Sequence, residues 1–281
     1  MAPVEAPLPR LLVVAGNDPG GAGIAADREA LADLGVEARF VVSAWTEQDA
    51  SGVRSLGARG AQVWLPEARR ELPAAVLKFG LLPGREDVRA AALLVREARE
   101  RAGGVFWAVV DPVLASSSGG RFLSREAARE YLDSLLPAGV VLTPNLDELA
   151  ELASVDRSLL ARDLGAREQC ARKLFDRGAA AIVVKGGHGE EDPACDLVLT
   201  GAGPALRLEH ARIAGGEVRG SGCRFASRLA ACLALGASLT EAVSAAAEHV
   251  LGRIREARKP APAPGLAFAE EEDILPRPRC R

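Results

Sequence analysis

Leu11-Leu12-Val13-Val14-Ala15, the loop Gly16-Asn17-Asp18-Pro19-Gly20-Gly21, and the run from Ala22 to Leu34 closed by Gly35 set the pattern of this chain. A short apolar run reads as a buried strand, glycines and proline as a turn, and the next segment as a helix, so the three make one β-loop-α unit. Similar units follow. Arg39 to Ala44, Val76 to Phe79, Val105 to Val110, Val140 to Thr143 and Ala181 to Lys185 read as strands. Helices are expected over Arg85 to Ala102, Ser124 to Leu136, a short stretch from Leu146, and Ala166 to Arg177 before Gly178. Short buried strands alternating with long helices predict an α/β fold, a mainly parallel sheet covered on both faces. Asp196 to Leu199 and Ala205 to His210 read as an antiparallel excursion, and two Ala-rich helices, Arg224 to Leu235 and Leu239 to Arg255, close the domain.

The chain has 281 residues, 48% of them apolar, which is enough for one large domain. Residues 1–9 read as an extension, 10–258 as the domain, and 259–281, mixing proline with an acidic cluster, as an extended tail. A net charge of −3 without a basic cluster argues against nucleic acid and membrane surfaces as partners. No apolar run reaches spanning length and the start lacks a signal-peptide pattern, so a cytoplasmic location is expected. The cysteines at 170, 195, 223, 232 and 280 show no paired or zinc-like spacing, and free thiols without a structural metal are expected. Basic residues are almost all Arg, which draws attention to the few lysines, Lys78 and Lys185 among them, as compact charges for phosphate oxygens.

In a parallel sheet the chemistry gathers beyond the carboxyl ends of the strands. A β-type stretch is expected to run into Gly220-Ser221-Gly222-Cys223 at the start of a helix. Glycines let backbone N–H groups face inward and a helix N-terminus carries partial positive charge, so the junction suits an anion. Cys223 there is expected to ionise more easily than a free thiol, as a base or nucleophile; the plainer reading is a glycine-rich helix start with a small buried thiol. Asp111, before Pro112 and the segment 116–120, is either a magnesium ligand or a turn former. Asn145 and Glu148 form a capping box, and Glu148 can also reach magnesium through water. Lys185 either meets a nucleotide phosphate or snorkels from a strand end. Gly21-Ala22-Gly23-Ile24-Ala25-Ala26 matches the G-x-G-x-x-A pattern only weakly, because its first glycine comes several residues after the strand. No glycine-lysine-serine/threonine run occurs, so a Walker A loop is excluded.

AGNDPGGAGIAAD (15–27), SAWTEQDASGV (43–53), KFGLL (78–82), DPVLASSSG (111–119), TPNLDEL (143–149), VVKGGH (183–188) and GSGC together resemble the hydroxymethylpyrimidine/phosphomethylpyrimidine kinase family of the ribokinase-like superfamily, in order from about residue 10 to 255. The resemblance implies a three-layer α/β/α kinase that uses ATP and Mg2+. Its small heteroaromatic alcohol substrate is the thiamine pyrimidine, phosphorylated first as the alcohol and then as its monophosphate. A homodimer is a further expectation. By position, Gly16, Ala22, Thr46, Gln48, Leu81 and Val113 correspond to the pyrimidine pocket, with the Gln48 amide on the ring. Asp111, Asn145, Glu148 and Lys185 correspond to the magnesium-ATP group, Gly220, Ser221 and Gly222 to the anion hole, and Cys223 to the base. Asn17, Leu81, Arg219 and Arg224 stand where the family usually has Ser or Thr, Met, His and Thr, and the first glycine loop is one residue shorter. A cation in a helix's first turn opposes the dipole, so Arg224 is expected to face an anion, a phosphate of ATP or substrate, or otherwise a surface acid. A pyridoxal kinase and a non-catalytic pyrimidine-binding regulator are the alternatives.

Overall fold

The computed structural model describes residues 7–49, 52–115, 121–213 and 218–258. The segment 116–120 and the tail 259–281, both read from sequence, lie outside the described residues, as does the Gln48 side chain. Strands β1 (Arg10–Asp18), β2 (Ala22–Gly23), β3 (Glu37–Asp49), β4 (Gly52–Ala58), β5 (Val76–Phe79), β6 (Trp107–Val110), β7 (Val141–Leu142), β8 (Ala181–Val184), β9 (Ala194–Leu199) and β10 (Leu206–His210) build one sheet. Its order is β10-β9-β8-β7-β6-β5-β1-β3-β4, with β2 folded back on β1. From β8 to β3 every neighbouring pair is parallel. Antiparallel strands β4 and β9–β10 close the two sides.

Helices α1 (Ile24–Leu31), α2 (Ala61–Arg70), α3 (Arg85–Arg101), α4 (Arg125–Glu130), α5 (Leu146–Ala153), α6 (Arg157–Arg162), α7 (Leu164–Phe175), α8 (Ser221–Ala234) and α9 (Leu239–Ala257) cover both faces. The two-residue side-chain period of the strands sorts the core into two layers. Leu11, Val13 and Ala15 of β1 pack with Val76, Val109, Val183 and the apolar faces of α1, α8 and α9. Leu12 and Val14 pack with Leu77, Phe79, Val110, Val184 and the helices from α2 to α7. The three-layer α/β/α expectation is met.

Several boundaries differ from the sequence reading. The first helix begins at Ile24, because Ala22 and Gly23 pair with Asp18 and Asn17 as a miniature hairpin. The helix expected over Ser124 to Leu136 is α4 continued by a π turn (Tyr131–Leu135) and a 3-10 turn (Leu136–Ala138), where Pro137 ends regular bonding. Of the β-type stretch expected before Gly220, residues 214–217 lie outside the described residues, and Val218 and Arg219 belong to no strand. β4, α2 and α6 were not anticipated.

Trp64 of α2 is fully buried, and its indole N–H donates to Asp87 Oδ1 of α3 at 2.6 Å. It seals the α2–α3 corner of the core. Trp64→Ala should cost about 3–5 kcal/mol of stability by urea denaturation; a loss under about 1 kcal/mol would contradict this packing role.

Candidate active site

Parallel strands deliver their carboxyl ends to one edge, and hydrogen bonds beyond the regular ladder hold the next residues in register. Gly80 N–H donates to Val14 O, Asp111 N–H to Phe79 O, Thr143 N–H to Val110 O and Lys185 N–H to Pro144 O, each at 2.9 Å. Four loops are thereby fixed side by side. Asp111 is 2% exposed, and its Oδ1 accepts from Lys185 Nζ at 2.8 Å. Glu148 Oε2 stands 4.0 Å from the same ammonium.

Glu148 serves the helix and the site together. Asn145 Oδ1 accepts the Glu148 N–H at 2.9 Å and Glu148 Oε2 accepts the Asn145 N–H at 2.8 Å, the reciprocal capping box of α5. Burial, only partly offset by Lys185, pushes the Glu148 carboxyl up to about 8, with Asp111 pushing the same way. Desolvation works against charge on Lys185, but Asp111 and Glu148 outweigh it and raise its pKa. One ammonium thus sits between two acids at the sheet edge.

Helix α8 brings the glycine turn to this group. Gly220 has φ 76°, a left-handed conformation that a side chain disfavours, and a Cβ there would lie 3.0 Å from Ala26 Cβ and 3.2 Å from Ala22 Cα. The first loop and the late turn therefore touch. A Cβ on Gly222 would lie 3.2 Å from both Asp111 Oδ2 and Lys185 Nζ. Ser221 N–H donates to Val218 O and Arg224 N–H to Gly220 O, while no carbonyl partner among the described residues takes the Gly222 or Cys223 amide. Such first-turn amides are available to an anion.

Cys223 requires a correction. Its thiol is pushed up to about 12 instead of down, because desolvation dominates; Lys78 and the Gly23 amide pull the other way, and the Asp27 and Asp111 carboxylates add to the rise.

The pyrimidine-pocket residues stand around the first loop. A Cβ on Gly16 would lie 3.0 Å from Leu81 Cδ2, so these two abut. Ser43 Oγ donates to Leu81 O at 2.5 Å, and Thr46 is buried three residues further along β3. Val113 packs on the core beside Asp111. Gln48 belongs to β3 next to Glu47. Gly23 has φ 58°, and a Cβ on it would come within 2.1 Å of Gly16 O, so the fold-back of β2 requires glycine there.

Several ionic partners escaped the sequence reading. Lys78, fully buried in β5, donates to Asp27 Oδ1 of α1 at 2.7 Å, and Ser227 Oγ of α8 donates to the same oxygen at 2.8 Å. Asp196 of β9 accepts the Gly186 N–H at 2.6 Å and lies 3.3 Å from His210 Nε2, fixing the turn after Lys185. Arg224 meets the acid given as the alternative to a phosphate. It is 6% exposed, and the anion it faces is Glu29 of α1, Nε to Oε2 3.1 Å, while its other arm donates to Arg219 O at 2.6 Å. Of the two partners expected, the structure shows the acid, so Arg224 is a bolt between α1 and α8.

A doubly covered parallel sheet with an anion-ready helix terminus beside Asp111 and Lys185 defines a ribokinase-like α/β kinase. Residues 18–265 match the family model described as phosphomethylpyrimidine kinase, and the chain belongs to that family. It is 35% identical over 250 residues to the hydroxymethylpyrimidine/phosphomethylpyrimidine kinase of Rhizobium meliloti, covering 88% of this chain and 90% of that one. The enzyme of the same name from Streptomyces coelicolor is 36% identical over 259 residues, 90% of each. The pyridoxal kinase of Staphylococcus aureus in complex with AMP-PCP and pyridoxal superposes with a TM-score of 0.77 at 26% identity, over 89% of each chain.

Two measurements check the electrostatics. Site-resolved alkylation by iodoacetamide should find Cys223 about three orders of magnitude less reactive at pH 7 than a free thiol, with a rate still climbing above pH 10; a plateau below pH 9 would contradict the raised pKa. Lys78→Met should cost about 3–5 kcal/mol by leaving Asp27 buried and uncompensated, and Lys78→Met/Asp27→Leu should recover most of it. Equal stability of the single and double variants would contradict the pairing.

Proposed function

We propose that this protein transfers the terminal phosphoryl group of ATP to the hydroxymethyl oxygen of 4-amino-5-hydroxymethyl-2-methylpyrimidine, and then a second group to the monophosphate, supplying thiamine synthesis. The observation that carries the reading is the convergence at Gly222, where helix amides, the Asp111 carboxylate and the Lys185 ammonium meet within one phosphate's reach. Family membership and the relatives' names select the pyrimidine.

Phosphoryl transfer needs positioning and charge stabilisation more than covalent help. The Gly222 and Cys223 amides receive the moving group, and Lys185 meets phosphate oxygens once nucleotide draws it from Asp111. An ammonium leaving two carboxylates must be replaced by another cation. Asp111 and Glu148 suit Mg2+, which usually takes one or two carboxylates and keeps several waters. Among the described residues no group of three or more His, Cys, Asp or Glu could hold the ion alone, so the ion would arrive on the nucleotide and neutralise its phosphate oxygens. Gly16, Ala22, Thr46, Gln48, Leu81 and Val113 would enclose the ring.

The raised pKa changes the part assigned to Cys223. A protonated thiol cannot act as a resident base at neutral pH, so Cys223 orients the hydroxymethyl oxygen, and the hydroxyl proton passes late to an oxygen of the transferred phosphoryl group as the new O–P bond forms and the bond to ADP breaks. With Mg2+-ATP and the aminopyrimidine alcohol, mass analysis should show monophosphate and then diphosphate; binding without ADP release would contradict the reading. Pyridoxal is the comparison substrate, because the Staphylococcus aureus neighbour carries it; a higher kcat/KM for pyridoxal would reassign the acceptor. Cys223→Ala should slow the first phosphorylation about tenfold, short of the 10²-fold or more that a base contributes, and the second less. Equal losses would remove the hydroxymethyl contact.

A further inference from the structure

Asp18 and Arg219 lie 201 residues apart in sequence and meet at the rim of the site. Arg219 Nε and Nη2 both reach Asp18 Oδ2, at 3.1 and 2.5 Å. The other oxygen, Oδ1, accepts the Gly20 N–H at 3.1 Å, and Asp18 O accepts the Gly21 N–H at 3.2 Å. Asp18 is 2% exposed at the tip of β1, opposite Ala22 in the small hairpin. A Cβ on Gly20 would stand 3.3 Å from Arg219 Nη2, so the guanidinium lies along the loop itself.

Arg219 is also the residue immediately before the Gly220 turn, and its carbonyl is held by Arg224, which Glu29 anchors to α1. The turn is therefore fixed from behind through its backbone and in front through its side chain. We propose that the Asp18–Arg219 pair is a clasp that sets the distance between the acceptor loop, residues 17–23, and the phosphoryl cradle at Gly220 to Cys223. Arg219 is then a positioning residue for the acceptor, acting through Asp18. A second consequence follows from charge. Arg219 neutralises a buried carboxylate beside the cradle, and without it that carboxylate repels an anionic acceptor more than a neutral one.

The kinetic arm of the test rests on the kinase reading above; the exchange arm does not. In Arg219→Ala the KM for the pyrimidine alcohol should rise about tenfold and that for its monophosphate more, with the KM for ATP within twofold of the parent. Arg219→Lys should lie between, and Arg219→Ala/Asp18→Asn should bring the monophosphate KM back towards that of the alcohol. Hydrogen exchange at the Gly20 and Gly21 amides should accelerate at least tenfold in Arg219→Ala, while core strands β5 and β6 exchange as before. Accelerated exchange with no turnover of any hydroxymethyl heterocycle would keep the clasp and overturn the kinase reading. Unchanged exchange at Gly20 and Gly21, or KM values for ATP and acceptor that rise together, would overturn the clasp.

Discussion

The close approach of the α8 N-terminus to the Asp111–Lys185 pair is the constraint on which the site depends. Gly222 leaves only 3.2 Å between the position of an absent Cβ and each of the two charged side chains, so any side chain there would crowd both. Everything else in the layer serves that placement. The Lys78–Asp27–Ser227 hydrogen bonds tie α8 to β5 and α1 from within, and Arg224–Glu29 ties it to α1 from outside. Such buried ion pairs contribute little net stability compared with apolar side chains of the same size. Their value here is that each fixes a helix at one angle to the sheet.

The same burial that orders the site sets its chemistry. Two acids and one ammonium share the sheet edge, and burial pushes the carboxyl of Glu148, the acid of the α5 capping box, up to about 8. At Cys223, desolvation and the Asp27 and Asp111 carboxylates outweigh Lys78 and the Gly23 amide. The thiol is held as a neutral group.

Much of the architecture was legible because it rests on local signals. Val76 to Phe79 reads as a strand and is one, and Asn145 with Glu148 reads as a capping box and forms it, since both need only neighbours in sequence. The order of the loops along one edge follows from parallel topology. β4 and α2 were missed for the opposite reason: β4 is glycine-bearing and pairs only at the sheet edge, and α2 carries Pro66. Ion-pair partners were not legible at all. Asp27, in the segment Ile24–Leu31, looks like any helix acid until folding sets it against Lys78, 51 residues on. Arg224 was recognised as needing an anion, but which anion depended on where α1 packs. The sign of the Cys223 shift failed because it sums desolvation with opposed effects of Lys78, Asp27, Asp111 and Gly23, all remote from Cys223 in sequence.

The central claim is that the late turn and the Asp111–Lys185 pair form one phosphoryl cradle. Kinetics of Gly222→Ala test it most directly, because the added methyl group enters the cradle and little else. The account predicts kcat lower by about 10²–10³ for both phosphorylations, with stability changed by no more than about 1 kcal/mol. A variant with parental turnover on both acceptors would contradict it.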